Sequence, residues 1–372
     1  MQKNWNSIGL MSGTSGDGVD ASIIKTNGIN QYEPIKNKYF EYEADIYKDI
    51  HTLKEKIHKI EHLKKFNDEI NDLERKITIF HAEIIKELKL DDNTIIGFHG
   101  QTIFHNPKKK ISKQLGNAEL LNQLTKKTIV SNFRENDILN GGQGAPLTPV
   151  FHHLVSIQNR INLPVCFLNI GGISNITIVK DNNNLSELIS KDIGPGNCLI
   201  DNWVRNNSNK KFDKDGILAA SGTRNQIIFE QAQELYMNRS NKKKLSFDTN
   251  DFDISFIRGL NFEDGVATLT DFTASIIGEE LSLSIKNSKE KIFDVLLCGG
   301  GRKNKILLEK IKENLSPHLN LKLIDDYQID GDFIESQAFA FLAVRAIQKL
   351  PISFPNTTGC KIPCTGGEIS RS

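Results

Sequence analysis

The residues best suited to chemistry in this sequence lie near the N-terminus, at positions 13–20. This stretch combines glycines, hydroxyl groups and carboxylates, in Gly13, Thr14, Ser15, Gly16, Asp17, Gly18 and Asp20. Glycine permits tight backbone conformations and close approach of a ligand to the main chain. Free N–H groups in such a turn can bind an anion, and carboxylates would tolerate a phosphate there if Mg²⁺ lay between them. We therefore predict a phosphate site over residues 13–20, Val19 included, with Asp17 and Asp20 as metal ligands.

Apolar runs enter this stretch from residue 8 and leave it by residue 24. Apolar flanks around a Gly/Ser/Asp centre predict strand, tight turn and strand over residues 7–25. A surface hairpin with a polar turn would have the same composition. These residues alone leave both interpretations open.

Three more glycine-rich sites follow predicted strands, at residues 171–175, 194–197 and 299–301. Each is weak evidence by itself, but four such sites in a mixed α/β chain favour a nucleotide cleft, because ligands bind at strand ends where backbone amides are free. None of them matches the P-loop pattern, the GxGxxG spacing of a dinucleotide fold or the protein-kinase loops. The sequence therefore predicts a nucleotide-binding protein outside those classes.

The elements that must position these sites alternate between strands and helices. Apolar residues recur at helical spacing at Ile70, Leu73, Ile77, Phe80, Ile84 and Leu88, and a short strand at 94–98 precedes the polar run His99–Thr102. Each half of the chain opens on a hairpin with a Gly/Ser turn, at residues 9–20 and 168–177. We predict one domain from residues 1–148 and 349–372, and a second from residues 149–348.

Composition restricts the class of protein. The 372 residues are enough for two domains, and 38% hydrophobic and 25% charged residues are typical of a globular protein. The net charge of +1 gives no reason to expect nucleic acid or an anionic membrane as a partner. No signal peptide or membrane-spanning stretch is recognisable.

The five cysteines are odd in number and scattered, which fits a reducing cytoplasm. Cys360 and Cys364 are four residues apart, but no second Cys/His pair lies nearby in the sequence to complete a zinc site. We interpret both as ordinary thiols.

Seven motifs, in order over nearly the whole chain, resemble those of the anhydro-N-acetylmuramic acid kinase family, within the actin/hexokinase/Hsp70 superfamily. They are Gly9–Ser15, Asp17–Asp20, His99–Thr102, Gly141–Leu147, Asn169–Asn175, Asp192 with Gly194–Asn197, and Glu335 with Ala338–Ala340. The resemblance implies a two-domain α/β fold of the actin-like ATPase and sugar kinase type (ribonuclease H-like), with an ATP cleft between the domains.

The resemblance also implies a reaction. The family uses ATP and water on 1,6-anhydro-N-acetylmuramic acid, opening the anhydro bridge at C1 and phosphorylating O6. It assigns Asp192 as the base, and Asp192 precedes a Gly-Pro-Gly turn that would hold it rigidly. It assigns nucleotide contacts to the turn at 13–20 and to Gly171, Gly172, Ser174, Asn175, Gly299 and Gly300. A turn or cap role for Asp192, and a packing role for the late glycines, remain alternatives.

Sugar contacts are assigned to Thr102, Arg134 and Glu335. Arg134 could bind the lactyl carboxylate with two hydrogen bonds, and Glu335 could accept from sugar hydroxyls. A structural role is an alternative for each, and His99 is interpreted as a supporting residue. The sequence departs from the family pattern where Asn132 replaces Asp, Asn136 replaces Arg and Ile193 replaces Thr; these changes put the sugar site in question more than the nucleotide site.

Two other functions compete with this prediction. One is a conventional sugar or carboxylate kinase of the same superfamily, and the other is a non-catalytic regulator that binds a sugar or nucleotide. The expected partners are an amino-sugar substrate and ATP with Mg²⁺, without nucleic acid or membrane, and a homodimer is a guess from the superfamily.

Overall fold

The apolar runs around the N-terminal glycine turn form strands β1, Trp5–Ser12, and β2, Gly18–Thr26. They pair antiparallel with Met11 opposite Asp20, as the sequence predicts. Strand β3, Tyr32–Glu41, continues the sheet antiparallel to β2. The structure, a computed structural model, describes residues 3–181, 184–238, 246–286 and 293–371.

Three helices follow where the sequence shows one long helical pattern. They are α1 Ala44–Lys56, α2 Ile60–Lys65 and α3 Asn67–Leu88. The chain breaks at Ile57, which is extended and fully buried. The predicted apolar stripe is the buried face of α3, because Ile70, Leu73, Ile77, Ile84 and Leu88 all lie in the core.

The next elements complete the first sheet. They are β4 Ile95–Asn106, β5 Ile111–Leu115, α4 Ala118–Thr125, β6 Ile129–Ser131, α5 Glu135–Leu139 and α6 Pro149–Gln158. Strand β4 is longer than predicted and includes His99–Thr102. The reason is that β5, which the sequence did not indicate, pairs with it at Gln101 and Thr102.

The second sheet and its helices come next along the chain. They are β7 Val165–Ile170, β8 Ile173–Val179, β9 Ile189–Pro195, α7 Cys198–Asn207, α8 Ile217–Ser221, α9 Gln226–Met237, α10 Phe262–Ile285, β10 Phe293–Cys298, α11 Lys305–Glu313 and β11 Leu319–Leu323. Asp192 therefore lies in a strand, and the helix expected at residues 192–197 begins only at Cys198.

The last elements are α12 Ile334–Ile347, α13 Pro355–Thr358 and β12 Glu368–Ser370. Helix α12 lies directly on the first sheet. A Cβ at Gly9 would be 1.8 Å from the Ser336 carbonyl oxygen, and one at Gly97 would be 2.3 Å from that of Phe339. These two glycines are therefore required for packing.

The two sheets share one strand order. The first runs β12-β6-β4-β1-β2-β3 with β5 on β4, and the second runs β11-β10-β7-β8-β9. In each, a hairpin of the first two strands is followed by strands added parallel on the far side of the first strand. This duplication confirms the predicted mixed α/β fold and gives physical form to the two similar hairpins seen in the sequence.

Contacts between Cα atoms divide the chain into two compact units. The first contains Met1–Leu163, Val179–Ser190 and Asp332–Ser372, and the second contains Pro164–Ile178 and Lys191–Gly331. Helices α6 and α12 group with the first unit, whereas the sequence-based boundaries at 148 and 349 assign both helices to the second domain. In the part of the chain that is described, every helix is too short or too polar to cross a membrane.

Candidate active site

The first glycine turn connects β1 to β2 through residues 13–17. Gly16 has φ of +66°, a left-handed conformation that favours glycine, and its N–H donates to the Gly13 carbonyl at 3.2 Å. Thr14 is exposed at the tip of the turn, whereas the side chain of Val19 is fully buried. Only the main chain of Val19 is therefore available to a ligand.

Two side chains from elsewhere in the first unit bind the carbonyl groups of this turn. The Gln101 amide donates from Nε2 to the Gly13 carbonyl at 3.0 Å, and the Lys54 ammonium donates to the Thr14 carbonyl at 2.7 Å. Gln101 is fully buried in β4, and Lys54 lies in the last turn of α1. Lys54 belongs to no motif of the sequence.

The carboxylates of Asp17 and Asp20 lie at the start of β2. The Ser15 hydroxyl donates to Asp17 Oδ1 at 2.5 Å. Tyr39, opposite Asp20 in β3, is half-buried, and burial together with the negative charge of Asp17 raises its pKa. Carboxylate and hydroxyl oxygens are the hard ligands that Mg²⁺ prefers, so this donor set fits the predicted metal.

The second glycine turn, Gly171-Gly172, joins β7 to β8 and is bound by backbone groups. The N–H groups of Gly196 and Cys198 donate to the Gly172 carbonyl at 2.9 and 3.1 Å, and that of Asn197 donates to the Gly171 carbonyl at 2.8 Å. A Cβ at Gly196 would be 2.2 Å from the Gly171 carbonyl oxygen. The turn and the segment after Asp192 are thus packed backbone against backbone.

The side chains after this turn face the interior. Ser174 is fully buried and its hydroxyl donates to the Pro195 carbonyl at 3.2 Å. Asn175 Oδ1 is buried without a hydrogen-bond partner among the described residues. Ser174 therefore links the turn to the strand that carries Asp192, while Asn175 keeps an unused acceptor.

Asp192 is 8% exposed in β9, and its Oδ2 accepts the backbone N–H of Phe247 at 2.7 Å. This contact fixes the orientation of the carboxylate. A base must be held in this way to abstract a proton along one direction. The residue that follows, Ile193, is buried in the core, so the hydroxyl of the usual Thr has no counterpart here.

The late glycine turn follows β10. Gly299 has φ of +78°, and a Cβ there would be 2.2 Å from Asn169 Oδ1, whereas a Cβ at Gly300 would meet nothing within 4 Å. Gly299 is therefore a packing glycine, and Gly300 borders open space. The packing alternative applies to the first of them and leaves Gly300 accessible to a ligand.

Arg302, which the sequence reasoning missed, supports this turn. Its buried guanidinium makes a two-point ion pair with Asp325, at 2.8 and 2.9 Å, and donates to the Gly299 carbonyl at 3.1 Å. The ion pair lowers the pKa of Asp325. An arginine directly after three glycines was the available signal.

Arg134 is held by a neutral histidine. Its guanidinium donates to His99 Nε2 at 2.8 Å and to the Gly144 carbonyl at 2.7 Å. His99 Nδ1 lies 2.7 Å from the Gly100 carbonyl, so that nitrogen carries the proton and Nε2 accepts. Burial and the Arg134 charge lower the pKa of His99 well below its usual value. His99 orients Arg134 in its position.

Asp137 holds the adjoining loop, Gly141–Leu147. It is 1% exposed and accepts the Gly144 N–H at 2.7 Å and the hydroxyls of Ser353 and Thr358 at 2.5 and 2.6 Å. Cys360 and Cys364 lie near this carboxylate, and all five cysteines are free thiols.

The other sugar-contact candidates also belong to the first unit. The Thr102 hydroxyl accepts from Gln114 at 3.2 Å. Glu335 is in the first turn of α12, four residues before Phe339, so both lie on one face of that helix. The Phe339 ring is 4.6 Å from that of His99. His99 thereby connects Arg134 to the face of α12 that carries Glu335.

The two other departures from the family pattern have structural partners. Asn132 has φ of +53° and donates to Glu135, and to Glu368 at 3.0 Å. Asn136 donates to the Thr365 carbonyl at 2.7 Å. Both therefore fasten the C-terminal segment.

Duplicated sheets of this order, each with a glycine turn after its first strand, define a class of protein: the ATP-dependent phosphotransferases of the actin-like and sugar kinase fold. The family model described as anhydro-N-acetylmuramic acid kinase matches residues 5–372, and the chain belongs to that family. The resemblance seen in the sequence motifs is confirmed.

Curated relatives agree along their whole length. The anhydro-N-acetylmuramic acid kinase of Pelagibacter ubique is 54% identical over 375 residues, covering 100% of both chains. That of Zymomonas mobilis is 35% identical, covering 97% of this chain and 98% of the relative. Component A of (R)-2-hydroxyglutaryl-CoA dehydratase from Acidaminococcus fermentans has a TM-score of 0.44 at 12% identity, covering 93% and 100% of the two chains; likeness of this degree supports no conclusion about ligands.

The chain is therefore a kinase that transfers a phosphoryl group from ATP to an alcohol group of a sugar. The alternatives of a conventional kinase for another substrate and of a non-catalytic regulator are not favoured by these relatives.

Proposed function

We propose that the chain converts ATP, water and 1,6-anhydro-N-acetylmuramic acid into N-acetylmuramic acid 6-phosphate and ADP, with Asp192 as the general base. The observation that carries this proposal is the placement of Asp192. Its carboxylate is buried, is oriented by the Phe247 N–H at 2.7 Å, and lies two residues before the turn that begins at Gly194. A rigid carboxylate of this kind suits proton abstraction from water.

The reaction balances with one base. Asp192 takes a proton from water as the water oxygen bonds to C1, and the C1–O6 bond breaks. The electron pair left on O6 attacks the γ-phosphorus of ATP, and ADP departs with the β–γ bridging oxygen. A carboxylate also suits the site because positive charge develops at C1 in an oxocarbenium-like transition state.

Phosphate binding is assigned to the two hairpin turns. In the first, Gly13–Asp20 offers backbone N–H groups and hydroxyls, and in the second Gly171, Gly172 and Asn175 do so. Gly300 is accessible for contact with the nucleoside. Asp17 and Asp20 would hold Mg²⁺, whose chemistry would be neutralisation of charge on the β- and γ-phosphates.

The sugar is assigned to Arg134, Thr102 and Glu335. His99 and Gly144 fix the plane of the Arg134 guanidinium, which favours a two-point contact with the lactyl carboxylate. Glu335 would accept from sugar hydroxyls, and Thr102 would donate to the sugar. We further propose a cytoplasmic location, which the free cysteines support, and a homodimer, which sedimentation would test.

Product analysis in ¹⁸O-water tests the reaction. We expect one ¹⁸O atom at C1 of the product and none in the phosphoryl group. Label absent from C1 would contradict hydrolysis of the anhydro bridge and would favour a conventional kinase.

Substitution of Asp192 tests the base. Asp192→Asn should lower kcat by about 10²- to 10⁴-fold, because the amide cannot accept the proton, while the Kd for Mg·ADP stays within about twofold. Asp213→Asn is a matched control, since Asp213 is also buried and also accepts backbone N–H groups, from Leu218 and Ala219. A rate near that of the wild type in Asp192→Asn would show that another group is the base.

A further inference from the structure

The carbonyl groups of the first glycine turn both point at side-chain donors. Gly13 accepts from Gln101 at 3.0 Å, and Thr14 accepts from Lys54 at 2.7 Å. In a trans peptide the C=O and the following N–H point in opposite directions across one plane. Each contact therefore also sets the direction of an N–H group, that of Thr14 in the first case and that of Ser15 in the second.

These two N–H groups are available to a ligand. Among the described residues, neither the Thr14 N–H nor the Ser15 N–H donates a hydrogen bond. Thr14 is exposed and Ser15 is partly exposed. Adjacent free N–H groups attract an anion, whereas a carbonyl turned outward would repel one. The orientation of two peptide planes therefore decides whether this turn attracts or repels a phosphate.

The orientation of the Gln101 amide is determined by its surroundings. Both contacts of Nε2 are backbone carbonyls, Gly13 at 3.0 Å and Thr102 at 3.4 Å, so the reversed amide would place oxygen against oxygen. The outcome is that Oε1, which is fully buried, has no partner among the described residues. A buried acceptor without a partner is destabilising. The protein accepts this cost while it keeps a donor on the Gly13 carbonyl.

Lys54 provides the second donor from a different element. It lies in α1, three residues before the helix ends at Ile57, and its Nζ would be 3.7 Å from a Cβ at Gly16. The absence of a side chain at Gly16 thus leaves room for the ammonium group beside the turn. Neither the glycine motif nor the helix pattern in the sequence indicates this contact.

We propose that Lys54 and Gln101 are positioning residues of the nucleotide site, which hold the Gly13 and Thr14 carbonyls so that the N–H groups of Thr14 and Ser15 face the phosphates of ATP. This inference rests on the proposed binding of phosphate at residues 13–20. It adds two residues, from α1 and β4, whose side chains act through the main chain of the turn.

The test measures the Kd of Mg·ADP by calorimetry, and KM for ATP and for the sugar. Gln101→Met removes one donor without a change of charge, and Lys54→Met removes the other. Each should weaken Mg·ADP binding about tenfold, as expected for one hydrogen bond, and raise KM for ATP alike. KM for the sugar should stay within about twofold. Gln101→Glu, which sets an acceptor against the Gly13 carbonyl, should bind Mg·ADP more weakly than Gln101→Met.

Two control variants match these changes. Lys56→Met removes an ammonium group from the same helix, where it pairs with Glu69 at 2.7 Å. Gln158→Met removes a glutamine that bonds the main chain of Tyr32 at 2.8 and 2.7 Å. Both should leave Mg·ADP binding unchanged. The effect of Lys54→Met should persist at high ionic strength, whereas long-range attraction of phosphate by its charge would be screened.

Gly16→Ala separates failure of this inference from failure of the proposed site. The left-handed φ and a Cβ 2.9 Å from Ile50 should distort the turn and weaken Mg·ADP binding. If Gly16→Ala weakens binding but Gln101→Met and Lys54→Met do not, the turn binds nucleotide and the positioning role is wrong. If none of the three weakens it, residues 13–20 are not the phosphate site. Equal losses for nucleotide, sugar and Tm in Gln101→Met would indicate a structural role only and overturn the inference.

Discussion

The turn at Gly13–Gly16 and the turn at Gly171-Gly172 both connect paired strands, and each lies after the first strand of its sheet. In the first turn the carbonyl groups accept hydrogen bonds from side chains, Gln101 and Lys54. In the second they accept from the backbone N–H groups of residues 196–198. Similar sequences are thus held by different means.

The difference has a physical consequence. A turn held by side chains can be altered by substitutions far away in the sequence, and its geometry depends on the charge of those side chains. A turn held by the backbone is insensitive to most side chains, but an added Cβ at the close contact cannot be accommodated. Four predictions follow from this difference, in order of decreasing effect.

The largest effect is expected for Gly196→Ala. The new Cβ would be 2.2 Å from the Gly171 carbonyl oxygen and 3.1 Å from the Ser174 hydroxyl. Because backbone cannot move aside cheaply, we expect a loss of about 1–3 kcal/mol in the free energy of unfolding, with weaker Mg·ADP binding. Urea unfolding and calorimetry would measure both. Unchanged stability would mean that the second turn is not rigidly held.

The next effect concerns pH and the side-chain support in the first unit. His99 is buried and neutral while it accepts from Arg134, and its pKa is lowered. The unfolded state binds a proton near pH 6.5 that the folded state excludes, so stability is full above that pH and falls as the pH is lowered. His99→Gln should make the free energy of unfolding less dependent on pH by about 1–2 kcal/mol between pH 6.5 and 5.

His81 and His152, whose pKa values burial lowers to about 4 and about 3, will keep part of the dependence in that variant. His58→Gln, in the turn after α1, is the control and should leave the pH dependence as in the wild type. An equally steep curve in His99→Gln would contradict the assignment of a neutral His99.

A smaller effect is expected at the late glycine turn, which an ion pair supports. The Asp325 side chain is 39% exposed, so its pair with Arg302 contributes about 0–1 kcal/mol. Asp325→Asn should be slightly less stable at pH 7. Because the pair lowers the pKa of Asp325, the difference from the wild type should narrow as the pH falls below about 4. A gap that widens in acid would contradict this sign.

The smallest effect on stability is expected for Gly300→Ala, since a Cβ there would meet nothing within 4 Å. Its Tm should match that of the wild type. Weaker Mg·ADP binding in this stable variant would show that Gly300 approaches the nucleotide, and unchanged binding would remove it from the predicted site.

The sequence by itself determined the fold class, the family and the two similar hairpins. Glycine turns between apolar strands have local causes, and the helical stripe from Ile70 to Leu88 needs only its own periodicity. Boundaries were less predictable. Strand β4 runs past residue 98 because β5 pairs with it, and a partner strand is not visible in the local pattern.

The tertiary structure decided which groups support the chemistry. Gln101 and Lys54 contact Gly13 and Thr14 across 88 and 40 residues, and Arg302 reaches Asp325 across 23. The neutral state of His99 depends on burial and on the guanidinium of Arg134, neither of which has a signature in the residues beside it. Spacing in a sequence encodes backbone conformation, whereas hydrogen bonds between distant segments exist only once the chain has folded.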